Sequence, residues 1–148
     1  MKFVVRSSGF AGIALFALIM CVVLNGATAF AAEKKMPKTY KYPAIEKIAW
    51  DLGMERIPNA KDEKHRFTPQ KMHFLSEDWG LEKDSKYPYT IRNRHIRVGF
   101  MEQKGDKWLI HYYMLYHHYN SAKKDWSGTS YALRELPWAV DHITDYKP

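Results

Sequence analysis

Between Ile91 and Tyr119 the chain alternates apolar and polar residues in two successive runs, and that pattern leaves few folds open. Ile96, Val98 and Phe100 interleave with His95, Arg97, Gly99 and Met101. After Gln103-Lys104-Gly105, Trp108, Ile110, Tyr112 and Met114 interleave with Leu109, His111, Tyr113 and Leu115. Successive side chains of a strand point to opposite sides, and both runs are rich in the β-branched and aromatic types that suit a pleated surface. The spacing predicts a β-hairpin over about 91–119.

The loop decides the register, and the register decides which side chains meet. A three-residue loop with Gly105 at the left-handed position pairs Glu102 with Asp106, Phe100 with Trp108, Val98 with Ile110 and Ile96 with Tyr112. One face is then continuously apolar. A two-residue Gly105-Asp106 loop pairs Phe100 with His111 and mixes the faces, so the sequence favours the longer loop.

Around the hairpin the signals are shorter. Residues 32–43 are Lys- and Pro-rich and read as an extended lead-in. Ile45, Ile48, Ala49 and Leu52 fall at i, i+3, i+4 and i+7, which predicts a helix over 44–52 ended by Gly53. Residues 54–67 read as loop. Thr68-Pro69 is a helix start, with Met72, Leu75 and Trp79 on its inner side and Gly80 at its end. Residues 81–88 are again loop. Residues 129–136 read as a third strand, with a short helix as the alternative, and Pro137 opens a last helical turn through Trp138, Val140 and Ile143. The expected class is α+β: a small antiparallel sheet with short helices packed on one face, in one globular domain over 44–148.

The N-terminus reads as an export signal. Lys2 and Arg6 precede an uncharged apolar run from Gly9 to Leu24, and Ala29-Phe30-Ala31 forms an A-x-A site, placing cleavage after Ala31. The alternative is an uncleaved inner-membrane anchor over residues 9–32, close to the 20 or so apolar residues that span a bilayer. Cys21 is no lipidation site, since Met20 stands where a small residue is needed and the apolar run continues past it. The expected location is periplasmic or extracellular.

Cleavage would remove the only cysteine, which excludes disulfides, thiolate metal sites and a cysteine nucleophile from the mature domain. It would also take Lys2 and Arg6 from 23 basic residues, leaving 21 against 16 acidic. The excess is interspersed, as in Lys61-Asp62-Glu63-Lys64, and permits an anionic envelope partner without supplying the basic stripe that nucleic acid demands. Five Trp and ten Tyr supply burial in a small core, and they also enrich binding surfaces.

In the favoured register His95 faces Tyr113 and Arg97 faces His111, with His117 further along the same side. Two imidazoles, a guanidinium and a phenol in one neighbourhood suit anion or metal binding, or acid–base chemistry near neutral pH. A metal would want a third ligand such as His73 or Asp141. No cofactor is predicted: hydrolase, zinc-protease and phosphate-loop motifs are absent from the sequence. Tyr112 and Tyr116 on one face and Tyr113 and Tyr119 on the other mean that both faces of the hairpin call for cover. Two short helices that lack the mass to cover both would leave the second candidate, an interaction surface of Leu109, Tyr113, Leu115 and Tyr119; full coverage by the chain's own helices is the alternative. The sequence therefore leads to an exported, non-catalytic envelope protein working through protein contacts or self-association. An aromatic module for envelope polysaccharide or lipid comes second, and a His-centred metal or acid–base enzyme third.

Overall fold

The structure is a computed structural model that describes residues 32–87 and 89–148; the export signal and its anchor alternative fall on residues 1–31, outside the described residues. Strand β1 (Ala32–Lys34) leads to helix α1 (Pro43–Arg56) and a 3-10 turn at Glu63–His65. Strands β2 (Lys71–Phe74), β3 (Gly80–Lys83), β4 (Ile91–Lys104), β5 (Lys107–His118) and β6 (Tyr131–Ile143) follow. They form one curled, mixed sheet in the order β1-β6-β5-β4-β2, with β3 beside β2 on the same edge of β4. β1 runs parallel to β6; the other pairs are antiparallel. This corrects the expected α+β class, a small antiparallel sheet with short helices packed on one face: strands dominate, the sheet is mixed, and α1 is the only α-helix among the described residues.

The hairpin exists, shifted by three residues from the expected register, so that Phe100 meets His111 and not Trp108. Lys104 pairs with Lys107, Gln103 with Trp108, Phe100 with His111 and Val98 with Tyr113, around a two-residue Gly105-Asp106 turn. Gly105 has φ +63° and Asp106 does not share it, the pattern of a type II′ turn with glycine at its first central position. The expected register failed because it was chosen to make one face continuously apolar. Both faces are buried here, so burial does not penalise the two-residue register and turn chemistry decides.

On one face Ile96, Val98, Phe100, Tyr113, Leu115 and Leu133 pack with Ile45 and Ala49 of α1, together with Ile57 and Phe67 from the segment that follows it. On the other, Met101, Trp108, Ile110, Tyr112 and Ile143 are covered by Met36, Leu75, Leu136 and Tyr146. Irregular segments and the chain end thus do the covering that was expected of helices.

Helix α1 is longer than its periodicity suggested. Pro43 opens it, as suits a residue without an N–H, and it runs through Gly53 to Arg56. Gly53 is an interior helical residue: a Cβ there would stand 2.2 Å from Phe100 Cε1, so only hydrogen fits between helix and ring. Ile48 is 37% exposed, and the inner face is Ile45, Ala49 and Gly53.

The segment expected as a helix from Thr68 to Gly80 instead holds edge strand β2 and an irregular link, and edge strand β3 runs from Gly80 into the expected loop over 81–88. Met72 and Phe74 pair with Phe100 and Val98, with Lys71 and His73 on the other face, a period of two. The expected helical turn after Pro137 is also strand. The expected third strand is confirmed and longer, continuing to Ile143 past a bulge opposite Tyr112.

Candidate functional site

The three-residue shift, being odd, separates the residues that the sequence had placed together. His95 lies across from Tyr116, at 5.7 Å between rings, on the face away from α1. Its Nδ1 is buried without a hydrogen-bond partner among the described residues, and Gly80 leaves room for the ring. Arg97 is exposed across from Met114. His111, Tyr113 and His117 lie on the α1 face. Of the surface candidates, Tyr113 and Leu115 are buried, while Leu109 and Tyr119 are half-buried. His73 lies 3.3 Å from the Tyr146 hydroxyl, and Asp141 accepts from Tyr112 at 2.7 Å and Lys34 at 3.0 Å. Among the described residues, no three His, Cys, Asp or Glu side chains form a group able to hold a metal ion.

New partners gather around His111. Its Nε2 donates to the buried Glu102 carboxylate at 2.9 Å, and its ring stacks on Phe67 at 3.9 Å. Lys104 reaches Glu102 at 3.0 Å. Burial holds the His111 pKa below the usual histidine value, against the opposing pull of Glu102, so the ring is neutral at pH 7. Tyr113 is pushed well above the usual phenol range, first by burial and then by the carboxylates of Glu135 and Glu102. Glu135 also binds His65 Nδ1 at 2.6 Å, and this bond raises the His65 pKa. The chemistry available is a closed set of hydrogen bonds: His65 ties the 57–70 segment to β6, and His111 ties β5 to β4.

At the other end of β4, the Arg94 guanidinium lies between two indoles, 4.4 Å from the Trp79 ring centre and 4.7 Å from that of Trp126. Its Nε and Nη2 lie 3.1 and 3.0 Å from His117 Nδ1. Arginine only donates, so Nδ1 accepts and His117 is neutral with its proton on Nε2. Burial, then the nearby guanidinium, lowers its pKa accordingly. His117 also stacks on Tyr131 at 4.0 Å, and Trp126 meets Tyr119 edge-on at 5.0 Å. The cluster clamps the β5–β6 connection onto the sheet. Sequence reasoning missed both clusters because each depends on the two-residue turn, which puts Glu102 and Arg94 on the side of His111 and His117.

Two further features face outward. An open cleft of about 530 Å³ lies between α1 and β2, lined by Pro43, Glu46, Lys47, Trp50, Gln70, Lys71 and Met72, apart from both imidazole clusters. The second is the outer edge of β6. β1 pairs only with residues 141–143, and among the described residues no strand pairs with 131–140 on that side. His118 N–H donates to Ser130 O, so residues 130, 132 and 134 direct their backbone groups toward β5. The amides and carbonyls of Tyr131, Leu133 and Glu135 therefore point outward.

No protein-family model, curated protein or solved structure matches this chain.

Proposed function

We propose that the chain is an exported, non-catalytic envelope protein that works by holding a protein partner, and that the partner docks as an added strand on the outer edge of β6. One observation carries this reading: the outward backbone groups of Tyr131, Leu133 and Glu135 have no partner among the described residues. A strand edge of this length is a template for another chain, and natural sheets ordinarily shorten, charge or cover such edges. Here the bulge after Glu135 limits the regular edge to Tyr131–Glu135, about the length of an ordinary strand. Backbone pairing would supply affinity and alternate side chains specificity.

The imidazoles fit this reading better than a catalytic one. His111, His117, His65 and His118 are each bonded to a side chain of the same fold: Glu102, Arg94, Glu135 and Asn93. A second copy of the chain is the simplest candidate partner. The test is backbone hydrogen exchange of Tyr131, Leu133 and Glu135, at high and low protein concentration and after recovery with crosslinked envelope partners. The expected result is fast exchange in the dilute monomer and selective protection in the complex. Ala132→Lys, which places a charge at the edge while leaving the backbone intact, should weaken association by about tenfold or more. A monomer at every concentration with no crosslinked partner, or a complex that leaves these three amides unprotected, would overturn the reading.

A further inference from the structure

We propose that the cleft between α1 and β2 binds a hexose unit of a polysaccharide, with the Trp50 indole as its stacking surface. Trp50 is half-buried, packed against the α1-face core on one side and lining the cleft on the other. Pro43 and Met72 extend the apolar surface beside it. The polar groups around that surface are uncommitted to a useful degree. Among the described residues, the Trp50 indole N–H and the Glu46 carboxylate have no hydrogen-bond or ionic partner within the chain. The side-chain carbonyl of Gln70 accepts from Gln103 N–H at 2.7 Å, which leaves its amide hydrogens free to donate.

A pyranose presents a flat face of C–H groups and a rim of hydroxyls, each able to donate and accept. That combination matches a half-buried indole on the cleft wall, bordered by an acceptor and two donors. Other ligand classes fit less well. Lys47 is paired with Asp51 at 2.5 Å and Glu46 stands beside it, which leaves Lys71 as a lone cation in the cleft, short of the clustered positive charge that holds a phosphate. A lipid chain needs an enclosed apolar pocket, and this cleft is open and lined by four polar or charged residues. The size allows one or two sugar rings, with the rest of a polymer running out into solvent.

No residue of β6 lines the cleft, so the site goes beyond the docking reading and stands or falls separately. The experiment is fluorine NMR on the chain, as it accumulates in the producing cell, labelled with 5-fluorotryptophan; Trp50→Phe assigns the Trp50 resonance. The probes are cellohexaose, chitohexaose and mannohexaose. At least one should move the Trp50 resonance saturably, and Glu46→Ala should weaken that binding by about tenfold or more while leaving the other resonances in place. Trp50→Ala should abolish binding measured calorimetrically, with the resonances of Trp79, Trp108 and Trp126 reporting that the fold persists. No movement with any of the three at about 10 mM sugar would overturn the proposal, since that concentration exceeds the weakest affinity expected of a built site. Movement that is undiminished in Glu46→Ala, or that only phosphatidylglycerol vesicles produce, would overturn it equally.

Discussion

Replacing Gly53 with alanine tests the helix, the sheet and their contact at once. In an exposed helix interior this substitution gains about 0.8–1.0 kcal/mol, because glycine is the more disordered residue in the unfolded chain. Here the added methyl would meet Phe100 Cε1 at 2.2 Å, Cζ at 2.5 Å and Cδ1 at 3.0 Å. The ring cannot retreat, for it is fully buried and held edge-on against Tyr113 at 5.4 Å. Overpacking of this kind costs about 1–3 kcal/mol, and contact with a buried ring places it at the upper end. The net expectation is a loss of about 1–2 kcal/mol, or roughly 4–8 °C in Tm for a domain of this size. Urea unfolding followed by circular dichroism measures it. In a Phe100→Leu background the same substitution should regain part of its helix benefit, giving a coupling of about 1 kcal/mol or more. Had Gly53 ended the helix in a left-handed conformation, the cost would be indifferent to Phe100. A Gly53→Ala protein as stable as the parent, or a cost unchanged by Phe100→Leu, would refute the packing argument.

Acid should destabilise the fold through His73, His111 and His117, whose pKa values burial lowers. The unfolded chain, with imidazoles near 6.5, then binds protons more readily, so their contribution is complete above about pH 6.5 and falls below it, by up to about 1.4 kcal/mol per pH unit for each. His65 has the opposite sign: its raised pKa makes its pairing with Glu135 strongest below about pH 6.5, fading as the pH climbs through the folded value. It is 41% exposed, so the three histidines with lowered values, His111 and His117 above all, should dominate, and equal urea midpoints at pH 5 and pH 7.5 would contradict this. Glu102→Ala strands the buried Nε2–H of His111 and should cost about 1–3 kcal/mol, whereas Glu102→Gln keeps an acceptor and should cost less than about 1 kcal/mol. Equal losses in thermal unfolding would show that this bond is not what matters there. Arg94→Lys removes the planar fork that both stacks on two indoles and bonds His117, so it should cost about 1–2 kcal/mol and speed protease nicking between Asn120 and Ser130. An unchanged nicking rate would leave the clamp without support.

Alternation between Ile91 and Tyr119 determined by itself that this region is a hairpin, because a period of two is a local property of the strand. The i, i+3, i+4, i+7 spacing after Pro43 likewise announced α1. The turn was legible too: Gly-Asp suits a type II′ loop, yet the demand for a single apolar face overrode that signal. Rings on both faces already called for cover on each; only the tertiary structure showed that the segments around Met36, Leu75 and Tyr146 supply it on the second. For the same reason Met72 to Trp79 was misread: its apolar residues serve edge strands and loops, whose partners are distant in sequence. The clusters at His111 and His117 follow from that register alone. Periodicity is fixed by neighbours along the chain, whereas the pairing of Glu102 with His111, or the seating of Arg94 between two indoles, needs strands aligned to a single residue. That alignment is a property of the folded sheet.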